Sequence, residues 1–335
     1  MRGKLGRIAN EIRNYLIVMD EMPCSLGAGG RRFKSCHPDK FKLFVDCNMT
    51  FLKKTISDNQ KIELYKFNGE SFVNLPENYH NEDAVKVCFL DLETTGLNKQ
   101  QCKIIEFAAK LTAIDKNSGE LLGIINSYQS FNDPEESIGA EITRVTGITD
   151  EDVKGHSLDW ELVSTLIGNA DIIVAHNANF DRAFMDRYLP LSKEKVWVCS
   201  VNDINWTQRG FGAKGQEILC IWHGFYYESH RAMYDVDALI HLVTHDIEGV
   251  SKASLELLAN AANPSYTIAA LNSPFETKDI LKARKYRWNP EKKYWWKKVQ
   301  FEEIEIEKEW MADNIYNGHF QGKVDEIGLT EKYKN

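Results

Sequence analysis

Three apolar runs of strand length follow one another from Val85: VKVCFLDLE, then KIIEFAAKLTAID, then GELLGIINSYQSF, joined by Gly- and Asn-containing turns. Further on the spacing becomes helical, with Leu158, Leu162 and Leu166 on one face of 157–167. Residues 171–176 read as a short buried strand, 180–188 as a helix and 196–199 as another strand. Residues 217–222 and 232–244 read as helices. Hairpin-linked strands followed by alternating helices and strands predict an α/β unit, a mixed sheet covered by helices. A linking helix is expected over 253–262, after which Pro264 breaks the pattern and a small Trp-rich segment follows. Before residue 84 the periodicity is weak and interrupted by Pro23, Gly27, Gly29, Gly30, Pro38 and Pro76. The predicted division is therefore 1–83 poorly patterned, 84–249 the main domain, 250–272 a linker, 273–313 a small basic and aromatic α+β module, and 314–335 a tail.

Composition narrows the class. With 335 residues, 43% of them hydrophobic, the chain has globular rather than disordered or fibrous character. It contains no apolar stretch of the roughly 18 residues that a membrane-spanning helix requires. Residues 1–19 are charged throughout, so export is not expected and no membrane partner is predicted. The seven cysteines form no C-x-x-C pair, which suggests neither a disulfide framework nor a common zinc site. These features read as a reduced, cytoplasmic protein. The net charge of −8 argues against nucleic acid as a partner, but its distribution does not. Residues 278–298 hold nine Lys/Arg against Asp279 and Glu291, and an acidic run follows at once over 302–313.

The sharpest chemical signal ends the first strand: Phe89-Leu90-Asp91-Leu92-Glu93-Thr94-Thr95-Gly96-Leu97. Residues two apart on a strand share a face, so Asp91 and Glu93 project together. Two such carboxylates repel unless a cation lies between them, and oxygen-only ligands suit Mg²⁺ or Mn²⁺ better than zinc. Alone, D-x-E is equally a solvated strand end. Downstream, an apolar strand runs through His176, Asn177 and Ala178 into Asp181, early in a helix where an acid also favours the helix dipole. Then His230-Arg231-Ala232-Met233-Tyr234-Asp235 precedes a helix, where the bland readings are a surface histidine and a solvated first-turn acid. Each bland reading stands singly; the ordered recurrence argues against them jointly.

In that order, Asp91 and Glu93, Asp181, and His230 with Asp235 resemble the five active-site positions of the DnaQ-like DEDDh 3′–5′ exonucleases, whose members include proofreading subunits of bacterial replicative polymerases. IGAEITRVTGITD (138–150) is similar to that family's corresponding segment, with Thr146 where many members have His. The resemblance covers roughly 85–247 and implies a ribonuclease-H-like mixed five-stranded sheet flanked by helices. It also implies two Mg²⁺ or Mn²⁺ ions, with Asp91 bridging them, Glu93 and Asp235 completing one site and Asp181 in support. His230 is the only member of the set with an ordinary pKa suited to a general base near neutral pH. Thr94, Thr95 and Gly96 would approach the 3′-terminal nucleotide, Leu97 its base, and His176 or Asn177 a phosphate. The implied function is removal of 5′-mononucleotides from the 3′ ends of single-stranded DNA in replication or repair, with a polymerase or repair complex as partner. RNA 3′-end trimming by the same residues is the alternative, and a non-catalytic nucleic-acid-binding module is the reading from another class.

The terminal segments add two expectations. Residues 273–299 resemble a short tryptophan module appended to DNA-processing enzymes. Its Trp288, Trp295 and Trp296 read either as a miniature core or as base-stacking rings, at least two of them being expected in the core. Arg284, Arg287, Trp288, Lys293, Trp295 and Trp296 form the candidate nucleic-acid clamp. The acidic run 302–309 reads as one solvated helix face. Toward the other end, the glycines of 27–32 lack the strand and the Lys-Ser/Thr of a phosphate loop. Residues 30–35 are instead compatible with a translated transfer-RNA T-arm, which makes Met49 an alternative start.

Overall fold

The computed structural model describes residues 62–247 and 249–334, which form two compact units, one ending at Ala262 and one spanning Asn263–Lys334. The readings that concern 27–38 and Met49 lie outside the described residues.

The first unit is built on a five-stranded mixed sheet. Its strands are β2 (Ala84–Thr94), β3 (Ile104–Asp115), β4 (Leu121–Phe131), β5 (Ile172–Ala175) and β6 (Val196–Cys199), in the order β4-β3-β2-β5-β6. β2–β3 and β3–β4 are antiparallel hairpin pairs, while β2–β5 and β5–β6 are parallel. The parallel strands are buried throughout, which is why they read as unbroken apolar runs. Among the helices are α1 (Ala140–Thr146), α2 (Asp150–Val153), α3 (Trp160–Asn169), α4 (Asn179–Tyr188), α5 (Gln216–Trp222), α6 (Ala232–Thr244) and α7 (Ala253–Ala262). α3 and α6 pack on the central strands, α6 through Val236, Leu239, Ile240 and Val243. This is the predicted α/β arrangement, a mixed five-stranded sheet flanked by helices.

The unit begins earlier than residue 84. β1 (Tyr65–Lys66) pairs in parallel with β7 (Phe225–Tyr226), and the buried Phe67 ring stacks on His241 at 4.1 Å. Leu75 N–H donates to the Ile124 carbonyl at 2.7 Å, attaching residues near 75 beside β4. A two-residue strand and isolated aromatic contacts leave no periodic trace, so pattern reading placed 62–83 in the poorly patterned head rather than the domain.

The second unit is a four-stranded antiparallel sheet, β11-β8-β10-β9, made of β8 (Ser265–Ala270), β9 (Arg287–Asn289), β10 (Tyr294–Val299) and β11 (Lys323–Ile327). α8 (Lys278–Ala283) and α9 (Ile304–Asn314) cover one face through Leu281, Ile304 and Met311, which meet Ile268, Tyr286 and Val299. Three expectations change here. The segment 250–272 is not only a linker: besides the expected helix, α7, it contains the strand β8. The tail 314–335 supplies β11. The tryptophans do not form the core, which is aliphatic and tyrosine-rich. Trp288 is exposed, and Trp295 is half-buried against the core. Within the acidic run Glu307 is buried, accepting hydrogen bonds from Tyr286 and Lys297 at 2.8 Å and pairing with Arg284. A buried carboxylate persists only with such partners. No described helix is long and apolar enough to cross a membrane.

Candidate active site

At the end of β2 the ladder slips in register between Glu93 and Thr94. Leu92 is buried on one face, and Asp91 and Glu93 project from the other. β5 pairs with β2 only over Val87–Phe89. Past that point the Leu92 amide is available to the Asp181 carboxylate, which accepts a backbone hydrogen bond there and another at its own peptide. Asp181 is buried in the first turn of α4, whose entry turns on Asn177 in a left-handed conformation (φ 71°), a geometry Asn tolerates.

Asp235 comes from the first turn of α6. Before it, His230 is left-handed (φ 63°) and exposed, and Arg231 is the N-cap residue with no side-chain cap of its own. The cap comes from another element: the fully buried Glu106 of β3 accepts the Ala232 N–H at 3.1 Å. Glu106 also accepts from Arg231 Nε and Nη2 at 3.3 and 3.2 Å and from Gln129 at 2.9 Å. It lies opposite Glu93 in the β2–β3 register. On Asp235 itself, Tyr227 donates to Oδ1 at 2.7 Å and Arg231 N–H to Oδ2 at 3.2 Å. Gln216 donates to the Tyr227 oxygen at 3.0 Å and to the Asp235 carbonyl at 2.8 Å.

The result is a carboxylate cluster: one oxygen each of Asp91, Glu93 and Asp235 lies within 4.8 Å of the others. They open with His230, Tyr227 and His176 onto a cavity of about 540 Å³. Burial, then repulsion from Asp235, Asp181 and Glu93, holds the Asp91 carboxyl well above the usual carboxylate range. Burial and then Asp235 push Glu93 up to about 8. Asp181 is raised to about 8, again chiefly by burial. Asp235 rises only to about 6, because Tyr227 and His230 offset its burial. Carboxyl groups this close ionise together only if positive charge enters among them, and their oxygen-only donor set is compatible with a divalent cation.

The structure thus brings together Asp91, Glu93, Asp181, His230 and Asp235. His176 reaches the same cavity, with Nδ1 2.7 Å from Ser200 Oγ, and burial lowers its pKa to about 4. Thr94 and Thr95 use their hydroxyls on the turn, donating to the Gly96 carbonyl at 2.8 Å and to Glu136 at 3.2 Å. Leu97 is 84% exposed just beyond. Sequence reading missed Glu106, Arg231, Tyr227 and Gln216. Glu106 had a visible trace, being the one charged residue inside IIEFAA. Among the expected clamp residues, Arg287, Trp288 and Lys293 are exposed and Trp295 and Trp296 half-buried, while Arg284 is held by Glu307 and lies 4.6 Å from the Trp310 ring centroid.

Residues 88–243, which span all five clustered positions, match the RNase_T family, described as exonuclease. The first unit thus carries a domain similar to the exonucleases of this family. It is similar to the DNA polymerase III PolC-type of Staphylococcus epidermidis, at 29% identity over 233 residues, 62% of this chain and 15% of the relative. It is also similar to that of Staphylococcus aureus, at 32% over 181 residues, 50% and 12%. The chain therefore spans less than a sixth of the length of these curated relatives. Among solved structures it resembles E. coli exonuclease I in complex with a dT13 oligonucleotide, with TM-score 0.40 and 17% identity over 47% of this chain and 40% of that one. Exonuclease X in complex with 5′ overhanging duplex DNA gives TM-score 0.37 and 23% identity over 53% and 99%.

Proposed function

We propose that the first unit is a metal-dependent 3′–5′ exonuclease of the two-metal DEDDh type, releasing 5′-mononucleotides from single-stranded or frayed DNA ends. The observation that carries this reading is the convergence of Asp91, Glu93 and Asp235 within 4.8 Å beside buried Asp181, with His230 on the same cavity. The donor set fits Mg²⁺ or Mn²⁺: Asp91, Glu93 and Asp235 would hold the ions, with Asp181 in support. Bound there, the ions supply charge stabilisation for the attacking and leaving oxygens of a phosphodiester. The protein's own part is to orient and to move a proton. His230 accepts the proton of the attacking water. Tyr227 and the Arg231 amide fix the Asp235 carboxylate, and Glu106 fixes the turn that carries His230. The similarity to PolC-type polymerase III supports a role in replication or repair, in association with a polymerase or repair complex.

The test is digestion of 5′-labelled single-stranded DNA and RNA of matched sequence, side by side, with Mg²⁺ and with EDTA. Stepwise shortening from the 3′ end, release of 5′-mononucleotides, arrest by EDTA and loss of cleavage in Asp91→Ala are expected. Cleavage that survives both EDTA and Asp91→Ala overturns the reading. Faster digestion of the RNA makes 3′-end trimming of RNA the function instead.

A further inference from the structure

The second unit displays aromatic side chains that its core does not use. Phe275 is 74% exposed and Trp288 48% exposed. Small domains ordinarily hide their largest rings, which are the main source of buried area. Trp288 on β9 stands directly opposite Trp295 on β10, with ring centroids 5.6 Å apart. Trp295 also packs against the core. Ammonium groups lie over two of these rings. Lys278 Nζ lies 4.0 Å from the Phe275 centroid and Lys282 Nζ 5.9 Å from that of Trp295. Lys278 and Lys282 are four apart on α8, hence on one side of it. Phe275 with Lys278, and Lys282 with Trp295 and Trp288, are thereby joined along one side of α8 in a row.

We propose that this row is a binding track for single-stranded nucleic acid, its rings stacking on bases and its ammonium groups facing phosphates. The choice of occupant rests on the nuclease reading above and on charge. Nine cations stand against two acids over 278–298. Arg284 and Lys297 share the single carboxylate of Glu307, and Lys282 is 3.8 Å from Asp279. Among the described residues, Lys278, Lys285, Arg287, Lys292 and Lys293 make no ion pair. An apolar protein surface has no use for ammonium groups seated over ring faces, and an acidic peptide offers no planar groups repeated along it. A single strand offers both a planar base and a phosphate at every step.

The experiment measures the affinity of the full chain for a fluorescein-labelled oligo-dT by anisotropy, in EDTA, across a salt titration. Trp288→Ala is expected to weaken binding about 5- to 100-fold, the range of one lost stacking ring. Lys278→Glu with Lys282→Glu should weaken it and flatten the slope of log K against log salt by about 1.4, two phosphate contacts on a single strand. Phe301→Ala and Lys308→Glu, which change an exposed ring and a cation elsewhere in the unit, should stay within about twofold. All these side chains lie at the surface, and thermal unfolding checks that each variant keeps its fold. Track variants that bind like the unaltered chain overturn the proposal, as does an equal loss in the two control variants. Binding in EDTA involves no hydrolysis. A chain that binds through the track but never cleaves sinks the nuclease reading alone, and a chain that cleaves while its track variants bind normally sinks the track alone.

Discussion

Two carboxylates side by side in one β-register have opposite surroundings. Glu106 is fully buried, but Gln129, Arg231 and the Ala232 amide meet its oxygens. Asp91, Glu93 and Asp181 are pushed up in pKa by burial and then by their carboxylate neighbours, Asp235 foremost for Asp91 and Glu93. A carboxyl whose folded pKa is raised binds more protons folded than unfolded. Its contribution therefore makes stability fall as pH rises from the unfolded value, near 4, toward the raised one, which is about 8 for Glu93 and Asp181. Without metal, Asp91→Asn should melt about 2–8 °C above the unaltered chain at pH 8, corresponding to about 1–2 kcal/mol. The difference should shrink at pH 5 and reverse in saturating Mg²⁺, where Asp91 gains its counter-charge. Scanning calorimetry in EDTA and in Mg²⁺ at both pH values checks this, and an equal effect at pH 5 and pH 8 contradicts it. Glu106→Gln keeps the shape but not the charge that holds Arg231. It is expected to lower kcat about 10- to 100-fold with KM little changed, since it disturbs orientation rather than substrate contacts. Steady-state kinetics on a short oligonucleotide decides, and unchanged kcat would show that Arg231 needs no anion there. Asp91, Glu93 and Asp181 were legible because they end or follow apolar runs, and His230 with Asp235 because, in that order, the set resembles a known family's pattern. The partner of Glu106 was not, since it lies 125 positions away and only folding brings the two together.

Turns do for the site what strands alone cannot. His230 is left-handed and sits just before the N-cap of α6, so a β-branched replacement would strain the backbone while Asn would not. His230→Asn is accordingly expected to keep the melting temperature and its rise on adding Mg²⁺, yet lose about 10²- to 10⁴-fold in rate, the usual weight of a general base. Retained rate would assign the proton transfer elsewhere. The element scale is also where pattern reading was strongest and weakest. β5 and β6 were visible because strands buried on both faces are apolar throughout, and β2 and β3 because of their long apolar runs. β1 is two residues long and β11 alternates weakly, so neither rises above its surroundings. The buried ring of Phe67 makes up for what β1 lacks in length. Phe67→Ala should destabilise the first unit by about 3–5 kcal/mol, as a buried Phe truncation does. A shift below about 1 kcal/mol in denaturant unfolding would mean that residues 62–83 only lean on the domain.

For the whole molecule, net charge and length were poor guides, because the acidic total of −8 averages a carboxylate cluster in one unit with a basic surface in the other. Each unit has its own sheet and its own core: β2–β6 with α3 and α6 in one, Ile268, Leu281, Val299 and Met311 in the other. Separate cores imply separate folding capacity. Among the described residues the group able to hold a metal ion, Asp91, Glu93 and Asp235, belongs to the first. A ligand stabilises only the unit whose native state binds it, by about 2.7 kcal/mol at a hundredfold excess over Kd. Two fragments divided at the boundary test this: one ending at Ala262, one starting at Asn263. Both should unfold cooperatively. Mg²⁺ should raise the melting temperature of the first and leave the second unchanged, whereas oligo-dT in EDTA should raise the second. The second fragment is small enough that the buried Glu307, with Arg284, Lys297 and Tyr286 on it, matters to its fold. Glu307→Ala, which leaves two cations facing an empty carboxylate site, should abolish its cooperative transition, while Glu305→Ala on the exposed side of the same helix should not. If the second fragment shows no cooperative transition even with Glu307 intact, its core is insufficient alone and the two-unit account of this chain fails.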